Sequence, residues 1–386
     1  MEKRCSGCGG CLVVCPRQCI SLKINNKGFY KADIDKENCV NCGLCEKICP
    51  INNIAEGNEL DESQLYSAYS CDKMVRKNSS SGGIAYLMAE FGLKNNYIIC
   101  GSTYDYSSNQ AKHIIIDNVQ DLYMIQGSKY LQSKTDIFKK IIHMGRKNKN
   151  TKFMVFGTPC QISALRKIVQ FYKMEERFLL IDIFCHGVPS YLLWNEYLSW
   201  IKIKGMNTDN IKSICFRDKE YSWHEYYMHI VTDEREYIAS RKKDPFLKIF
   251  TMGVMNQKEC FSCQYRNKSL ADIRLGDYWG DRYKKSEEGY SMVLLNTKNG
   301  REIFKHFTET KNIVYKEMPI TDRLGQQHSD YPVPQYYEKS FVLLNNKNSM
   351  RKIINLYDPI ITRVKRRMKE TIKSVLIKLI DCEYEK

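Results

Sequence analysis

Between residues 66 and 308, short apolar segments of strand length alternate with longer segments whose apolar residues recur at helical spacing. Strands are predicted at 97–102, 113–116, 152–156, 178–184, 211–216, 226–231, 272–275 and 291–295. Helices are predicted at 83–93, 136–147, 161–172, 190–204, 244–255 and 299–308. Strands separated by helices favour a layered α/β structure, so the chain is predicted to be α/β, or α+β overall.

The first 50 residues carry a different pattern, in which the run Cys-x-x-Cys-x-x-Cys-x-x-x-Cys-Pro occurs twice. This doubled run is typical of a bacterial two-cluster ferredoxin, where the last cysteine of each run binds the other cluster. One [4Fe-4S] cluster is therefore predicted on Cys5, Cys8, Cys11 and Cys49, and a second on Cys39, Cys42, Cys45 and Cys15. Disulfides and zinc are the alternatives, but disulfides require an oxidising compartment and a zinc site needs only one set of four ligands.

Four more cysteines stand at special positions in the large α/β region. Cys160 follows an apolar strand and lies at the predicted start of a helix, where the helix dipole would stabilise a thiolate. Cys185 follows the next apolar strand, and Cys260 and Cys263 form a Cys-x-x-Cys pair. Four such thiolates fit a third [4Fe-4S] cluster or a zinc ion equally well on spacing alone. Two further interpretations are that Cys260 and Cys263 form a redox-active dithiol and that Cys160 is a nucleophile assisted by His186.

Two loops rich in serine and glycine precede predicted helices, at 78–83 and 127–133. Hydroxyl and backbone N–H groups before a helix are suited to binding the phosphates of a cofactor. A third segment, 276–280, places Asp277 and Trp279 directly after a strand. There is no G-x-G-x-x-G after a strand and no G-x-x-x-x-G-K-S/T, so neither a Rossmann nor a P-loop site is predicted.

Sixty Lys and Arg residues against 44 Asp and Glu give a formal charge of +16. Bound clusters would offset part of this charge, and the rest suits an acidic redox partner, a nucleotide cofactor or anionic lipid. Basic residues also crowd a predicted amphipathic helix that starts at Asp358-Pro359, which would contact a membrane surface, a partner or its own domain. No nucleic-acid-binding motif accompanies the charge, so nucleic acid is not an expected partner.

No apolar segment spans a bilayer and no signal peptide precedes Cys5, which predicts a cytoplasmic location.

From Ser79 to about Gly300, the chain resembles the coenzyme F420 hydrogenase/dehydrogenase beta-subunit family. Seven blocks carry the resemblance, at 79–83, 127–133, 157–161, 185–189, 216–219, 260–263 and 276–280. The resemblance implies an iron–sulfur flavoprotein with FAD and a third [4Fe-4S] cluster, whose ligands would be Cys160, Cys185, Cys260 and Cys263. It also implies that FAD is contacted by Ser80, Ser81, Gly82, Gly83, Gly127, Ser128, Lys129, Tyr130, Gln132, Ser133, Thr158, Asp277 and Trp279.

The predicted function is an FAD-dependent iron–sulfur oxidoreductase. It would pass electrons between a hydride partner, either reduced deazaflavin coenzyme F420 or another small organic molecule, and a one-electron partner of ferredoxin type. No side chain is predicted as a catalytic acid or base. The alternative is a non-catalytic, polyferredoxin-like component of a larger redox complex. The predicted domains are a ferredoxin domain at 1–56, a linker at 57–65, a flavin and cluster domain at 66–345, and a basic helical tail at 346–386.

Overall fold

The computed structural model describes residues 4–53, 58–59, 63–325 and 332–359. A small N-terminal unit carries both cysteine runs and consists of helix α1 (Gly10–Val14), strands β1 (Ile20–Ile24) and β2 (Tyr30–Ile34), and helix α2 (Leu44–Ile48). The two strands pair antiparallel. Helix α1 follows Gly9 with φ 78°, and helix α2 follows Gly43 with φ 74°. Glycine adopts this left-handed conformation without steric cost, so the two cysteine runs share a backbone turn as well as a spacing.

The strands of the remaining chain are β3 (Asn58–Glu59), β4 (Gln64–Ser70), β5 (Tyr97–Asp105), β6 (Gln110–Ile116), β7 (Lys152–Phe156), β8 (Phe178–Ile183), β9 (Ile211–Asp218), β10 (Tyr227–Thr232), β11 (Glu236–Ser240), β12 (Lys268–Ser269), β13 (Ile273–Asp277), β14 (Ser291–Leu295) and β15 (Ile313–Met318). Eight of them form one sheet in the order β15-β4-β14-β13-β8-β7-β5-β6. Its four central strands, β13, β8, β7 and β5, are parallel, and antiparallel strands flank them on both sides. Strands β9, β10 and β11 form a separate antiparallel sheet, and β12 pairs with β3.

The helices of the large unit are α3 (Lys73–Asn78), α4 (Ile84–Lys94), α5 (Ile137–Lys147), α6 (Pro159–Phe171), α7 (Tyr191–Ile203), α8 (Pro245–Met252), α9 (Lys298–Glu309), α10 (Tyr337–Leu344) and α11 (Ser349–Tyr357). Residues of α4 and α9 share one apolar cluster with the sheet, and residues of α5 and α6 share another. The second cluster also contains Val14 and Ile48 of the N-terminal unit. The small unit therefore packs on the α5–α6 side of the sheet.

The predicted mixed architecture is confirmed, with a small ferredoxin-like region and a large mixed sheet. Helix α8 ends at Met252, three residues before its predicted end at 255, because Gly253 adopts φ 66° and closes the helix. Helix α11 contributes Met350 and Ile353 to the same core cluster as α7 and α8, so the large unit reaches Tyr357 rather than residue 345. The predicted basic helix beyond Asp358 lies outside the described residues. Within the described residues, no helix is long and apolar enough to cross a membrane.

Candidate cluster and flavin site

Polar contacts hold both ends of the N-terminal cysteine motif, at Cys5 and at Pro50, against the large unit. The Cys5 carbonyl accepts a hydrogen bond from Gln257 Nε2 at 2.8 Å, and the Cys5 N–H donates to Glu259 Oε1 at 3.1 Å. The Thr135 hydroxyl donates to the Cys8 carbonyl at 3.1 Å, and the Tyr265 hydroxyl donates to the Pro50 carbonyl at 2.8 Å. Contacts at both ends of the ferredoxin motif hold the small unit in one orientation.

The cysteines predicted for the first cluster face one another. Burial, followed by the nearby thiols of Cys5 and Cys49, raises the pKa of the Cys11 thiol to about 12. Cys49 comes from the second run, so the fold brings it to the first run as the ferredoxin rule requires. The Gly7 N–H lies 3.4 Å from the Cys5 sulfur, which is the kind of backbone donor that stabilises cluster sulfur ligands.

The cysteines predicted for the second cluster lie at the outer end of the small unit. Cys42 is exposed, and Cys15, Cys39 and Cys45 are partly buried. A fifth thiol, Cys19, lies beside them, with its sulfur 3.4 Å from that of Cys15. The hydrogen bond to Cys15, followed by burial and by Cys15 and Cys39 as neighbours, raises the pKa of Cys19 to about 11. The cysteine spacing did not identify Cys19, because it falls outside both runs.

Cys160, Cys185, Cys260 and Cys263 line one cavity of about 740 Å³, its open mouth included. Burial raises the pKa of Cys160 to about 11 and that of Cys185 to about 12, and the thiol of Cys263 contributes to both shifts. The thiols are therefore protonated at neutral pH until a metal displaces their protons.

The donor chemistry of this cavity suits a thiolate-bound metal centre. Four sulfur ligands on three separate segments enclose a volume that is also lined by Ser6 and Ile51 of the N-terminal unit. His186 Nε2 pairs with the Phe250 carbonyl at 3.1 Å, so this ring nitrogen is not available to Cys160. Among the described residues, no three His, Cys, Asp or Glu side chains meet closely enough to hold a single metal ion.

The three cysteine sets are adjacent in a fixed order. Cys45 of the second ferredoxin set is an electrostatic neighbour of Cys11 in the first set. Cys8 of the first set is in turn a neighbour of Cys160, and burial together with Cys160 raises the pKa of Cys8 well above its usual value. The first ferredoxin set therefore lies between the outer set and the cavity of the large unit.

The two Ser/Gly loops predicted to bind FAD meet in the structure. The hydroxyls of Ser80 and Ser128 are 2.7 Å apart, and Gln126 Nε2 donates to the Ser79 hydroxyl at 3.0 Å. The Ser81 hydroxyl donates to the Tyr290 carbonyl at 2.5 Å. Gly82 packs so tightly that an added Cβ would lie 2.4 Å from the Ala68 carbonyl oxygen, and Gly83, with φ 88°, precedes helix α4.

The loop 127–133 runs from Ser128 to the cysteine cavity. Gly127 has φ 77° and open space where a Cβ would lie. Burial lowers the pKa of Lys129 to about 7, and its ammonium donates to the Gln126 carbonyl at 2.8 Å. Tyr130 stacks on Phe250, with ring centroids 4.1 Å apart. At the other end of the loop, Gln132 and Ser133 line the cavity.

Three predicted FAD residues have their polar groups engaged within the protein. Gln132 Oε1 accepts from the Tyr30 N–H at 2.7 Å, and its Nε2 donates to the Ser6 carbonyl at 3.0 Å. The Ser133 hydroxyl lies 2.8 Å from Nδ1 of the buried His113. The Thr158 hydroxyl is 3.3 Å from the Cys160 sulfur. These side chains connect the predicted flavin loop to the cysteine sets, and their contact with FAD stays a prediction.

Asp277 and Trp279 belong to an aromatic and charged cluster with residues that the sequence did not single out as site residues. Arg217 Nη1 donates to Asp277 Oδ2 at 2.5 Å, and the buried Trp223 donates its indole N–H to Asp277 Oδ1 at 3.3 Å. The indole rings of Trp223 and Trp279 stack with centroids 4.5 Å apart.

Lys219 joins this cluster to the first Ser/Gly loop. Its ammonium donates to the carbonyls of Arg76 and Ser81 at 2.7 Å and of Glu288 at 2.8 Å. Burial, followed by the charge of Arg217, lowers the pKa of Lys219 to about 7. Arg217 and Lys219 belong to the block 216–219 that carried the family resemblance, which was the available signal for both residues.

Comparison with known proteins gives two family matches. Residues 150–320 match the family described as the C terminus of the coenzyme F420 hydrogenase/dehydrogenase beta chain, and residues 4–53 match the 4Fe-4S dicluster domain. These matches confirm the two resemblances read from the cysteine runs and the sequence blocks.

Several characterised proteins with similar sequences are named for coenzyme F420. The chain is 25% identical over 315 residues to the coenzyme F420-dependent sulfite reductase of Methanocaldococcus jannaschii, covering 81% of this chain and 47% of that protein. The chain thus spans about half the length of that relative. It is 22% identical over 283 residues to the beta chain of coenzyme F420 hydrogenase from Methanococcus voltae, covering 68% of this chain and 90% of that one. Among solved structures, a chain of the F420-reducing [NiFe] hydrogenase complex from Methanosarcina barkeri matches at 18% identity and a TM-score of 0.49, covering 79% of this chain and 96% of that one.

Proposed function

Because residues 150–320 belong to the C-terminal family of coenzyme F420 hydrogenase/dehydrogenase beta chains, behind a 4Fe-4S dicluster domain, we propose that this chain is an F420-dependent iron–sulfur flavoprotein. It exchanges a hydride with the deazaflavin coenzyme or a similar small organic molecule, and single electrons with a one-electron partner of ferredoxin type. FAD supplies the conversion between these two kinds of transfer.

The observation that carries this proposal is the course of the loop 127–133. Ser128 at one end touches Ser80 of the other Ser/Gly loop, and Gln132 and Ser133 at the other end line the cavity of the four large-unit cysteines. Residues proposed for FAD and residues proposed for a third cluster are therefore parts of one short segment. This arrangement supports a flavin site next to an iron–sulfur site, as conversion between hydride and single electrons needs.

The chain's own residues would hold three clusters in series. Cys39, Cys42, Cys45 and Cys15 hold the outer one, Cys5, Cys8, Cys11 and Cys49 the middle one, and Cys160, Cys185, Cys260 and Cys263 the inner one. The electrostatic interactions of Cys45 with Cys11 and of Cys8 with Cys160 support this order. Gln132, which bonds to Ser6 and Tyr30, keeps the middle and inner sets in register.

The test is the iron, zinc and flavin content of anaerobically purified protein. Three cubanes and one FAD predict about twelve irons and one flavin per chain, since each cubane holds four irons. Cys185→Ser should remove about four irons, and Cys100→Ser, at a buried core thiol outside the cavity, should remove none. About eight irons with one zinc would replace the third cluster by a zinc site. A flavin-free chain would instead favour the non-catalytic electron-transfer component.

A further inference from the structure

Arg217 carries two unpaired donors in the interior of the protein. Its side chain is 3% exposed, and Nη1 is engaged by Asp277. Nε and Nη2, which share the other edge of the guanidinium, have no hydrogen-bond partner among the described residues. A buried donor without a partner costs about 1–3 kcal/mol, so a free two-donor edge is unusual unless a ligand completes it.

The shape of this edge selects a kind of ligand. Parallel N–H groups of one guanidinium edge bind two neighbouring acceptor atoms of one group. Aromatic rings flank the guanidinium, with Cζ 4.6 Å from the Tyr226 centroid and 5.2 Å from the Trp279 centroid. Asp277 already offsets part of the charge of Arg217, so the edge suits a ring that carries at most one delocalised negative charge better than a doubly charged pyrophosphate. A flat heterocycle with an adjacent ring nitrogen and carbonyl oxygen fits both the edge and the charge.

Strand β9 places Arg217 close to the two Ser/Gly loops that are proposed to bind FAD. Arg217 is the next-to-last residue of β9, and Lys219, two positions on, holds the Ser81 carbonyl at 2.7 Å. Tyr130 of the loop 127–133 is an electrostatic neighbour of Arg217, and its ring lies 6.5 Å from that of Tyr226. The free edge is therefore part of the same cluster as the residues proposed to bind FAD.

We propose that the Nε–Nη2 edge of Arg217 binds the pyrimidinedione edge of a flavin-type ring, through a ring nitrogen and its neighbouring carbonyl oxygen. The inference rests on the proposed function, and its ligand is FAD or the deazaflavin, which share this edge. If the ligand is FAD, positive charge at this position would favour the anionic reduced ring, because hydride uptake without a proton leaves negative charge on this edge. Arg217 is then a residue that binds the ring and sets its potential.

The experiment compares wild type with Arg217→Met, Arg217→Lys and Arg146→Met. Arg146 is a matched control, because it is exposed and also lies 4.6 Å from a tyrosine centroid, that of Tyr172. The first part of the experiment tests FAD: a binding titration gives its dissociation constant, and spectroelectrochemistry gives the midpoint potential of the flavin. The deazaflavin arm measures the dissociation constant of coenzyme F420 by fluorescence titration. Iron content and thermal unfolding identify variants that fail to fold.

Arg217→Met should bind the ring at least tenfold more weakly, about 1.4 kcal/mol, in whichever arm contains the true ligand. If that ligand is FAD, a tenfold weaker preference for the reduced form also lowers the potential by about 30 mV. Arg217→Lys, which keeps the charge without the two-donor edge, should bind more weakly while its potential stays near that of wild type. Arg146→Met should match wild type. Arg217→Lys decides the question if Arg217→Met does not fold.

Unchanged binding in both arms and an unchanged potential, in a wild type that contains flavin, would overturn the role of Arg217 and leave the proposed function intact. Competition by inorganic pyrophosphate that is lost in Arg217→Met, without any change of potential, would identify a phosphate contact and also overturn it. A wild type that binds neither FAD nor coenzyme F420 would overturn the proposed function itself, and with it the ligand assigned to Arg217.

Discussion

Gly10 of the N-terminal unit and Ala164 of helix α6 touch so closely that a Cβ added to Gly10 would lie 2.9 Å from the Cβ of Ala164. This contact lies where the two units share an apolar cluster. We expect Gly10→Ala to destabilise the folded chain by about 1–3 kcal/mol, because neither backbone can give way easily. Chemical unfolding followed by circular dichroism measures the change.

The double variant Gly10→Ala/Ala164→Gly returns the missing space and is the control. Its unfolding free energy should exceed the value expected from adding the two single effects. Strict additivity of the two substitutions would show that this contact does not limit the docking of the N-terminal unit.

Cys19 offers a check of the ligand assignment in the outer set. Its sulfur lies 3.4 Å from that of Cys15, yet the ferredoxin spacing assigns only Cys15 to the cluster. Cys19→Ser should keep the full iron content, whereas Cys15→Ser should lose up to about four irons. Iron analysis and low-temperature electron paramagnetic resonance measure both. Retention of all iron in Cys15→Ser, with loss only in the double variant, would contradict the assignment.

Lys219 should control the order of the first Ser/Gly loop. Replacing it by methionine removes the ammonium donor from three buried or partly buried carbonyl oxygens, those of Arg76, Ser81 and Glu288. We expect a loss of about 1–3 kcal/mol in stability and a weaker FAD affinity. Lys77→Met is the control, since Lys77 is half-exposed and forms a surface ion pair with Glu220. Equal FAD affinity of the two variants would separate Lys219 from the flavin site.

His113 should make stability depend on pH. Burial lowers its pKa to about 4, and its ring lies between the Ser133 hydroxyl and the Phe156 carbonyl. Between pH 6.5 and 4 the unfolded chain binds a proton that the folded chain excludes, so the stability due to neutral His113 falls as pH falls. Going from pH 7 to pH 5 should remove about 2 kcal/mol of the stability that depends on neutral His113.

His113→Gln should lose that part of the pH dependence, and His143→Gln, at an exposed position of α5, should keep it. Anaerobic urea unfolding at the two pH values measures the difference between variants. A wild type and His113→Gln with parallel pH profiles would place the proton linkage elsewhere.

Strands with strong apolar patterns were predictable almost to the residue. Strands β7 and β14 match their predicted bounds because their residues are largely apolar and buried. Strands β3, β4, β11, β12 and β15 were not predicted. Strands β3 and β12 have only two residues each, and β15 exposes four of its six residues, so its pattern resembles a polar loop. Strand β15 forms because it pairs with β4, which lies far away in the sequence. A local pattern of apolar residues does not contain this information.

In the candidate site, too, local sequence patterns did not predict the contacts between residues that are far apart in the chain. The eight cysteines of the two N-terminal runs, proposed as cluster ligands, were recognisable from spacing, because a cluster imposes fixed intervals along the chain. Lys219 reaches a carbonyl 143 positions away, and Gln132 binds residues of the N-terminal unit. No local pattern encodes contacts of this range, so the sequence predicted Gln132 as a flavin contact and did not show its place between the two units.

The hydrogen bonds from Gln257, Thr135 and Tyr265 to backbone carbonyls of the N-terminal unit mean that this unit never has to find the large unit by diffusion. A separate ferredoxin would meet its oxidoreductase at a rate set by concentration and by ionic strength. Here that encounter is replaced by a permanent attachment. On the proposed electron path, salt and dilution should therefore affect only electron exchange with an external partner at the outer end, where Cys42 is exposed, and leave electron transfer between the two units unchanged.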